Sequence, residues 1–206
     1  IELPAEELNF TVQETARFLG TAKKIKLTDD SLQLLHKKTE GWIAAIQLAF
    51  QALYEQKNQD EFVRHFSGTD KDITRYLAEY VLDYQDEETK KFLLHTSILT
   101  RLNVELCIEI TGIESANSIL EHISQTGLFL FELDREQKWF RYHHLFREFL
   151  LVKLQLDTPS KYRLLSRKAA LWLEAHGDIN EAVGHYLAAQ HYETAVRLIA
   201  DHVSNI

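Results

Sequence analysis

Apolar residues recur with helical spacing over most of the chain. Thr28-Asp29-Asp30 sets a capping hydroxyl ahead of a first turn rich in negative charge, and apolar positions then follow at Leu32, Leu35, Trp42, Ile46, Ala49 and Leu53. Steps of three, four and seven residues place them on one helical face. Gly41 predicts a break between two short helices there. After the turn signal Ser67-Gly68-Thr69, a further helix carries Ile73, Tyr76, Leu77, Tyr80, Val81 and Tyr84 as a single stripe expected to face the core. The next helix starts at Asp86, with Glu87 and Glu88 in its first turn, and buries Phe92, Leu93 and Thr96 before Ile98-Leu99. Another starts at Asn103, carries Val104, Leu106, Cys107 and Ile110, and stops at Gly112 as a left-handed cap. A third contains Ile119, Leu120 and Ile123 and is expected to end at Gly127.

The period then switches. Leu128-Phe129-Leu130-Phe131-Glu132-Leu133 is an apolar, aromatic run of strand length, and the polar connection Asp134-Arg135-Glu136-Gln137-Lys138 leads to a second short strand, Trp139-Phe140-Arg141-Tyr142. The pair reads as a β-hairpin. Leu145, Phe146, Phe149, Leu150 and Leu154 restore the helical period. Helices followed by one hairpin is the order of a winged helix, here over residues 70–156, with the hairpin as the wing. Beyond Asp157-Thr158-Pro159-Ser160, three more amphipathic helices are expected. They carry Tyr162, Leu165, Ala169, Trp172 and Leu173, then Ala182, Val183, Tyr186 and Leu187, then Ala195, Val196, Ile199 and Val203. Their Ala-rich packing positions and the turn His176-Gly177-Asp178 are those of stacked helical-repeat units. The expected fold is therefore mainly α. It has a helical, lid-like domain over 1–68, a winged-helix domain with one β-hairpin over 69–158, and a TPR-like helical arm over 159–206 that begins a repeat region.

Composition narrows the class. The 206 residues hold 45% apolar and 26% charged side chains, enough for a core without disulfides or metals. The lone Cys107 allows no internal disulfide, and with no signal-peptide pattern a reducing, cytoplasmic compartment is expected. No apolar run approaches the about 18 residues of a membrane span. The chain has no Met and begins Ile1-Glu2-Leu3, so it reads as a piece of a larger protein. Its net charge of −8 concentrates in the middle: residues 69–158 hold 10 basic and 16 acidic side chains, whereas residues 159–206 hold five of each. That balance argues against a nucleic-acid binder, which presents a basic face to phosphate.

Chemistry-bearing patterns are sparse. There is no P-loop, no G-x-G-x-x-G and no G-x-S-x-G, so no self-contained nucleotide site and no enzymatic signature. Cys107 falls on an apolar helical stripe, where an inert core thiol is expected. Asp29-Asp30, Asp70 with Asp72, and Asp86-Glu87-Glu88 fall at helix starts, where capping and the helix dipole account for them. Glu148, four residues after His144, has a spacing that can hold a metal; with no third ligand in view, a surface ion pair is expected and no metal site is assigned. His143 and His144 sit where the second strand meets a helix N-terminus, with Arg141 and Arg147 flanking them. Unpaired N–H groups and the positive dipole end favour an anion at such a junction, and a histidine can donate to a phosphate. The alternative reading is two partly exposed histidines that cap the helix.

Several blocks resemble a known family. Thr39-Glu40-Gly41-Trp42-Ile43-Ala44-Ala45-Ile46-Gln47-Leu48 is similar to the helical-domain signature of the large ATP-dependent LuxR-type transcription regulators, the MalT-like group of STAND signalling ATPases. Phe92-Leu93-Leu94-His95-Thr96-Ser97-Ile98-Leu99, Cys107-Ile108-Glu109-Ile110-Thr111-Gly112, Gly127-Leu128-Phe129-Leu130 and Trp139-Phe140-Arg141-Tyr142-His143-His144-Leu145-Phe146-Arg147 follow in family order. Ala169-Ala170-Leu171-Trp172, Glu181-Ala182-Val183 and Leu187-Ala188-Ala189 close the series. The resemblance implies a helical domain, winged helix and arm that lie between an upstream nucleotide-binding domain and a downstream repeat sensor domain, with a C-terminal helix-turn-helix beyond. It implies a regulator that rests with ADP and, with inducer and ATP, self-associates and binds promoters. DNA binding belongs to the helix-turn-helix; the present segment is expected to hold no cofactor of its own and to contact no membrane. Tyr142-His143-His144 stands where STAND proteins carry Met-His-Asp, so the resemblance assigns an ADP β-phosphate contact to His143, with His144 and Arg141 as further candidates. This sequence departs from that motif with Tyr142 for Met and His144 for Asp.

Two other classes compete with this regulatory reading. A free-standing winged-helix DNA binder would lay residues 115–127 in the major groove, yet Glu114 and Glu121 with no Lys or Arg make a poor groove reader. A helical protein-interaction scaffold would be independent of nucleotide.

Overall fold

The computed structural model describes residues 9–21, 24–125, 129–134 and 139–203. The expected helix end at Gly127, the strand start at Leu128 and the connection 135–138 lie outside them. Among the described residues there are twelve α-helices, one π-helical turn and one two-stranded antiparallel hairpin, the mainly α class expected. None of the described helices is long and apolar enough to cross a membrane. Two compact units emerge, residues 1–84 with 143–149, and residues 85–142 with 150–206.

The first unit begins with α1 (Val12–Gly20), α2 (Asp29–Thr39), α3 (Ile43–Glu55), α4 (Gln59–His65) and α5 (Lys71–Leu77). Caps set the starts: Thr11 and Glu14 form a reciprocal capping box on α1, the Thr28 hydroxyl accepts from Ser31 N–H, and Asn58 accepts from Glu61 N–H. Helices α1 and α4 had no counterpart among the sequence expectations, although Thr-x-x-Glu at 11–14 is a readable signal. The break at Gly41 is as expected: Glu40 and Gly41 both adopt left-handed backbone, and the chain turns from α2 into α3. Leu35, Ala45, Ile46, Ala49, Leu53, Val63 and Phe66 form the buried interior.

One expectation needs correction here. The stripe from Ile73 to Tyr84 is not a single core face, because Tyr80 is 62% and Tyr84 78% exposed. A π-helical turn (Ala78–Leu82) follows α5, with Asp83 N–H donating five residues back to the Ala78 carbonyl. The wider turn shifts the helical phase by about one residue. Val81 and Leu82 therefore both point inward, and the tyrosines beyond Tyr76 turn out.

The second unit contains α6 (Glu87–Thr96), α7 (Val104–Thr111), α8 (Ala116–Gln125), β1 (Leu130–Glu132) and β2 (Phe140–Tyr142). Asp86 and Asn103 cap α6 and α7, and Gly112 closes α7 in left-handed backbone. The strands pair as Leu130 with Tyr142, Phe131 with Arg141 and Glu132 with Phe140, and are shorter than expected. Phe140 also bridges to Leu102, and the Tyr142 hydroxyl meets Thr96 Oγ1 at 2.7 Å in the interior. Burial pushes the Tyr142 phenol and the Cys107 thiol far up, so the inert reading of Cys107 stands on its environment.

Helix α9 (His144–Asp157) contributes residues 144–149 to the first unit and the remainder to the second. The arm follows as α10 (Pro159–Ala175), α11 (Ile179–Ala188) and α12 (Tyr192–Val203). Two turns of the same kind join these helices, with left-handed residues at Gly177 and Gln190. Ala170, Tyr186, Ala195 and Leu198 form their core, flanked by Ile179 and Val183. The expected packing residues Leu187 on α11 and Val196 and Ile199 on α12 are instead exposed, Val196 at 64%; on α12 Leu198 takes the inward position.

Candidate functional site

The junction before α9 is assembled from two sequence-distant turns, both in the first unit. The Thr39-Glu40-Gly41-Trp42 turn is fixed by its own backbone: Trp42 N–H donates to Thr39 O at 2.8 Å, and Phe10 N–H donates to Gly41 O at 2.8 Å. A Cβ at position 41 would collide with the Phe10 carbonyl, so the turn needs glycine for space as well as for its φ of +76°. The Ser67-Gly68-Thr69 turn lies directly against α9. A side chain on Gly68 would collide with the Leu145 carbonyl, and the Gly68 N–H donates to Glu148 Oε2 at 2.8 Å.

His143, the residue before α9, lies against the first of these turns and is only 1% exposed. Its Nδ1 accepts from Leu145 N–H at 3.2 Å, which caps α9, and its Nε2 bonds the Thr39 carbonyl at 2.8 Å. Accepting at Nδ1 places the ring proton on Nε2, where Thr39 receives it. The Trp42 ring meets the imidazole edge to face at 5.7 Å, and His144 stacks on it at 5.0 Å. His144, half-buried, directs Nδ1 to Glu40 Oε1 at 2.8 Å, and its backbone N–H approaches the same oxygen at 3.5 Å. The Glu40 carboxylate thus sits at the positive end of α9, where a negative charge is stabilised.

Each sequence expectation can now be placed. His143 caps the helix as the structural reading held, but it is buried rather than partly exposed. Glu148 makes no surface ion pair with His144: it accepts from the Gly68 N–H, and His144 pairs with Glu40. Arg141 belongs to the second unit, where its guanidinium covers the Phe131 ring at 4.5 Å. Arg147 donates its backbone N–H to the His143 carbonyl. Sequence reasoning missed Thr39, Glu40 and Trp42 as partners of the histidines. The one available signal was the Gly41 break, which marks a tight turn without saying what it faces.

Nearby, Lys38 donates to the Arg64 and Phe66 carbonyls, and its burial lowers the ammonium below the usual lysine range, opposed by the Glu148 and Asp70 charges. Glu40, His143 and His144 bring three possible ligand atoms within 4.8 Å of one another. A cation there would have to take a His143 nitrogen from Leu145 or Thr39, and would face the positive end of a helix. The donor set is explained by hydrogen bonding without an ion.

Helices, a hairpin and a capped helix leaving the second strand define a winged-helix domain that carries a helical arm. Residues 77–162 match the MalT winged helix domain family, and this segment of the chain belongs to it. That segment is a winged-helix domain. The chain is also similar to the HTH-type transcriptional regulator MalT of Vibrio parahaemolyticus, 33% identical over 202 residues, covering 97% of this chain and 22% of the relative. MalT of Vibrio campbellii is 36% identical over 177 residues, covering 84% of this chain and 20% of the relative. The serine/threonine-protein kinase PknK of Mycobacterium tuberculosis is 32% identical over 205 residues, covering 100% of this chain and 18% of the relative. The chain therefore spans about a fifth of the length of these curated relatives.

Proposed function

We propose that this chain is the switch segment of a signal-responsive transcriptional activator, and that it couples ATP/ADP state and inducer sensing to self-association and promoter binding by other domains. In this reading the whole protein works in the cytoplasm as a slow signalling ATPase of the STAND kind. An upstream nucleotide-binding domain supplies the ADP site, a downstream repeat domain senses the inducer, and DNA is contacted by a separate helix-turn-helix. The observation that carries the reading is the His143–His144 junction at the start of α9. There a buried imidazole holds one ring proton against a carbonyl that a phosphate oxygen can replace. Two bonding states follow, Nε2–H to Thr39 or Nε2–H to the β-phosphate, and ADP favours the second to the extent that its bond is stronger. His144 is the further phosphate candidate; Arg141 is the less favoured one, since its guanidinium is engaged with Phe131.

The relatives support a regulatory rather than an output role. The same 206-residue span resembles part of a transcription regulator and part of a protein kinase, and a segment shared by two different outputs is better suited to control than to either output. The DNA-binding alternative draws little support from α8, which holds the expected groove position without a Lys or Arg and whose Asn117 side chain is bonded to Glu121.

Two experiments test the proposal. In the whole regulator, His143→Ala should raise transcription without inducer; unchanged inducer dependence contradicts the switch. A gel-shift titration of the 206-residue chain on random duplex DNA at low and moderate salt should show no salt-dependent binding. Tight binding would favour the DNA-reading alternative.

A further inference from the structure

We propose that Glu40, acting through His144, is the regulatory latch that keeps residues 143–149 docked on the Thr39–Trp42 turn; the inference rests on the nucleotide-switch reading of that junction. The argument starts from backbone strain. Glu40 has φ 48° and ψ 29°, a left-handed conformation that suits glycine or asparagine and that an unbranched acidic residue gains nothing from locally. Glycine would relieve that strain, and the next residue is one. A strained residue of the wrong type persists where its side chain is needed, and here the side chain reaches across 104 positions to the first residue of α9.

The contact is well placed to act as a latch. Glu40 Oε1 receives His144 Nδ1–H at 2.8 Å and lies 3.5 Å from the His144 backbone N–H, so one carboxylate oxygen holds both the side chain and the helix end. The side chains are 20% and 34% exposed, dry enough for the charge to count yet open to solvent and to an incoming domain. The second tie, His143 Nε2 to Thr39 O, is fully buried and neutral at the acceptor. Glu40–His144 is thus more exposed than the His143–Thr39 bond, and the one that can be exchanged first. The carboxylate can only accept, so the shared proton belongs to His144 Nδ1.

Hydrogen exchange of the 206-residue chain, without nucleotide, tests the latch separately from the nucleotide reading. Loss of a charge-assisted bond should make the amides of residues 145–149 exchange about 10-fold faster or more in Glu40→Gln and in His144→Gln, with the arm amides unchanged. The double variant should exchange no faster than Glu40→Gln alone, since that variant already takes the charge from both contacts of the carboxylate. Glu40→Gly separates latch from turn: it relieves the left-handed backbone, so the melting temperature should hold or rise while residues 145–149 still exchange faster. Exchange within twofold of the parent in both single variants, or effects that multiply in the double variant, overturns the latch. Added Zn2+ alone should leave the exchange unchanged. If Zn2+ slows it about 10-fold and Glu40→Gln abolishes the slowing, the cluster is a metal site and the latch is wrong. ADP retention that ignores His143 substitution, with the exchange result intact, would remove the nucleotide reading and leave the latch standing.

Discussion

His143 offers one donor and one acceptor, and both are used within its own unit, by Thr39 O and Leu145 N–H. Its environment could not be read from sequence, because Thr39 lies 104 positions away and a left-handed glutamate leaves no local signal. The glycines were legible. Gly41→Ala should destabilise the chain by at least about 1 kcal/mol in urea unfolding, since alanine must adopt a positive φ and its Cβ meets the Phe10 carbonyl. His95 gives a second test at this scale. Burial, reinforced by the Lys161 and Lys91 charges, pushes its pKa down from 6.5 to about 4, and its Nδ1 is buried without a hydrogen-bond partner among the described residues. The unfolded chain then binds the proton more readily than the folded one. The contribution of His95 to stability is therefore complete above about pH 6.5 and is lost as pH falls towards about 4. Unfolding free energy measured across that window should fall less steeply in His95→Gln than in the parent.

Elements were legible where their ends carry capping chemistry. Thr28, Asp86, Asn103 and Gly112 marked helix ends that the structure reproduces, because a cap is decided by a few adjacent residues. Phase was less legible. The tyrosine stripe followed a strict α period, and a single π-helical turn at Ala78–Leu82 turned Tyr80 and Tyr84 away from the core while Val81 and Leu82 face it. Leu82→Ala should cost about 2–5 kcal/mol of stability, the usual range for truncating a buried leucine. Tyr84→Ser should stay within about 0.5 kcal/mol of the parent, as for an exposed position. Equal costs in urea titrations of the two variants would place Tyr84 back in the core. The arm turns make a smaller test: Gln190 occupies the left-handed position that Gly177 holds one turn earlier, so Gln190→Gly should raise stability by about 0.5–1 kcal/mol.

At the scale of the whole chain, the order of periods foretold a mainly α protein with one hairpin and a helical arm, and the winged helix is matched by the MalT winged helix domain family over residues 77–162. What the order could not convey is the grouping of residues 143–149 with the first unit, since that depends on the long-range bonds of Thr39, Glu40 and Gly68. Those bonds concentrate the proposed switch in one short segment. In the proposed reading, the acidic balance of residues 69–158 suits a segment that meets other protein domains and leaves DNA to a separate reader. The central claim is that His143 exchanges the Thr39 carbonyl for a nucleotide phosphate. The most direct test is the rate of ADP release from the whole regulator, compared between the parent and His143→Ala. Loss of a charge-assisted hydrogen bond of about 1.5–3 kcal/mol predicts release roughly 10- to 100-fold faster in the variant; equal rates would contradict the account.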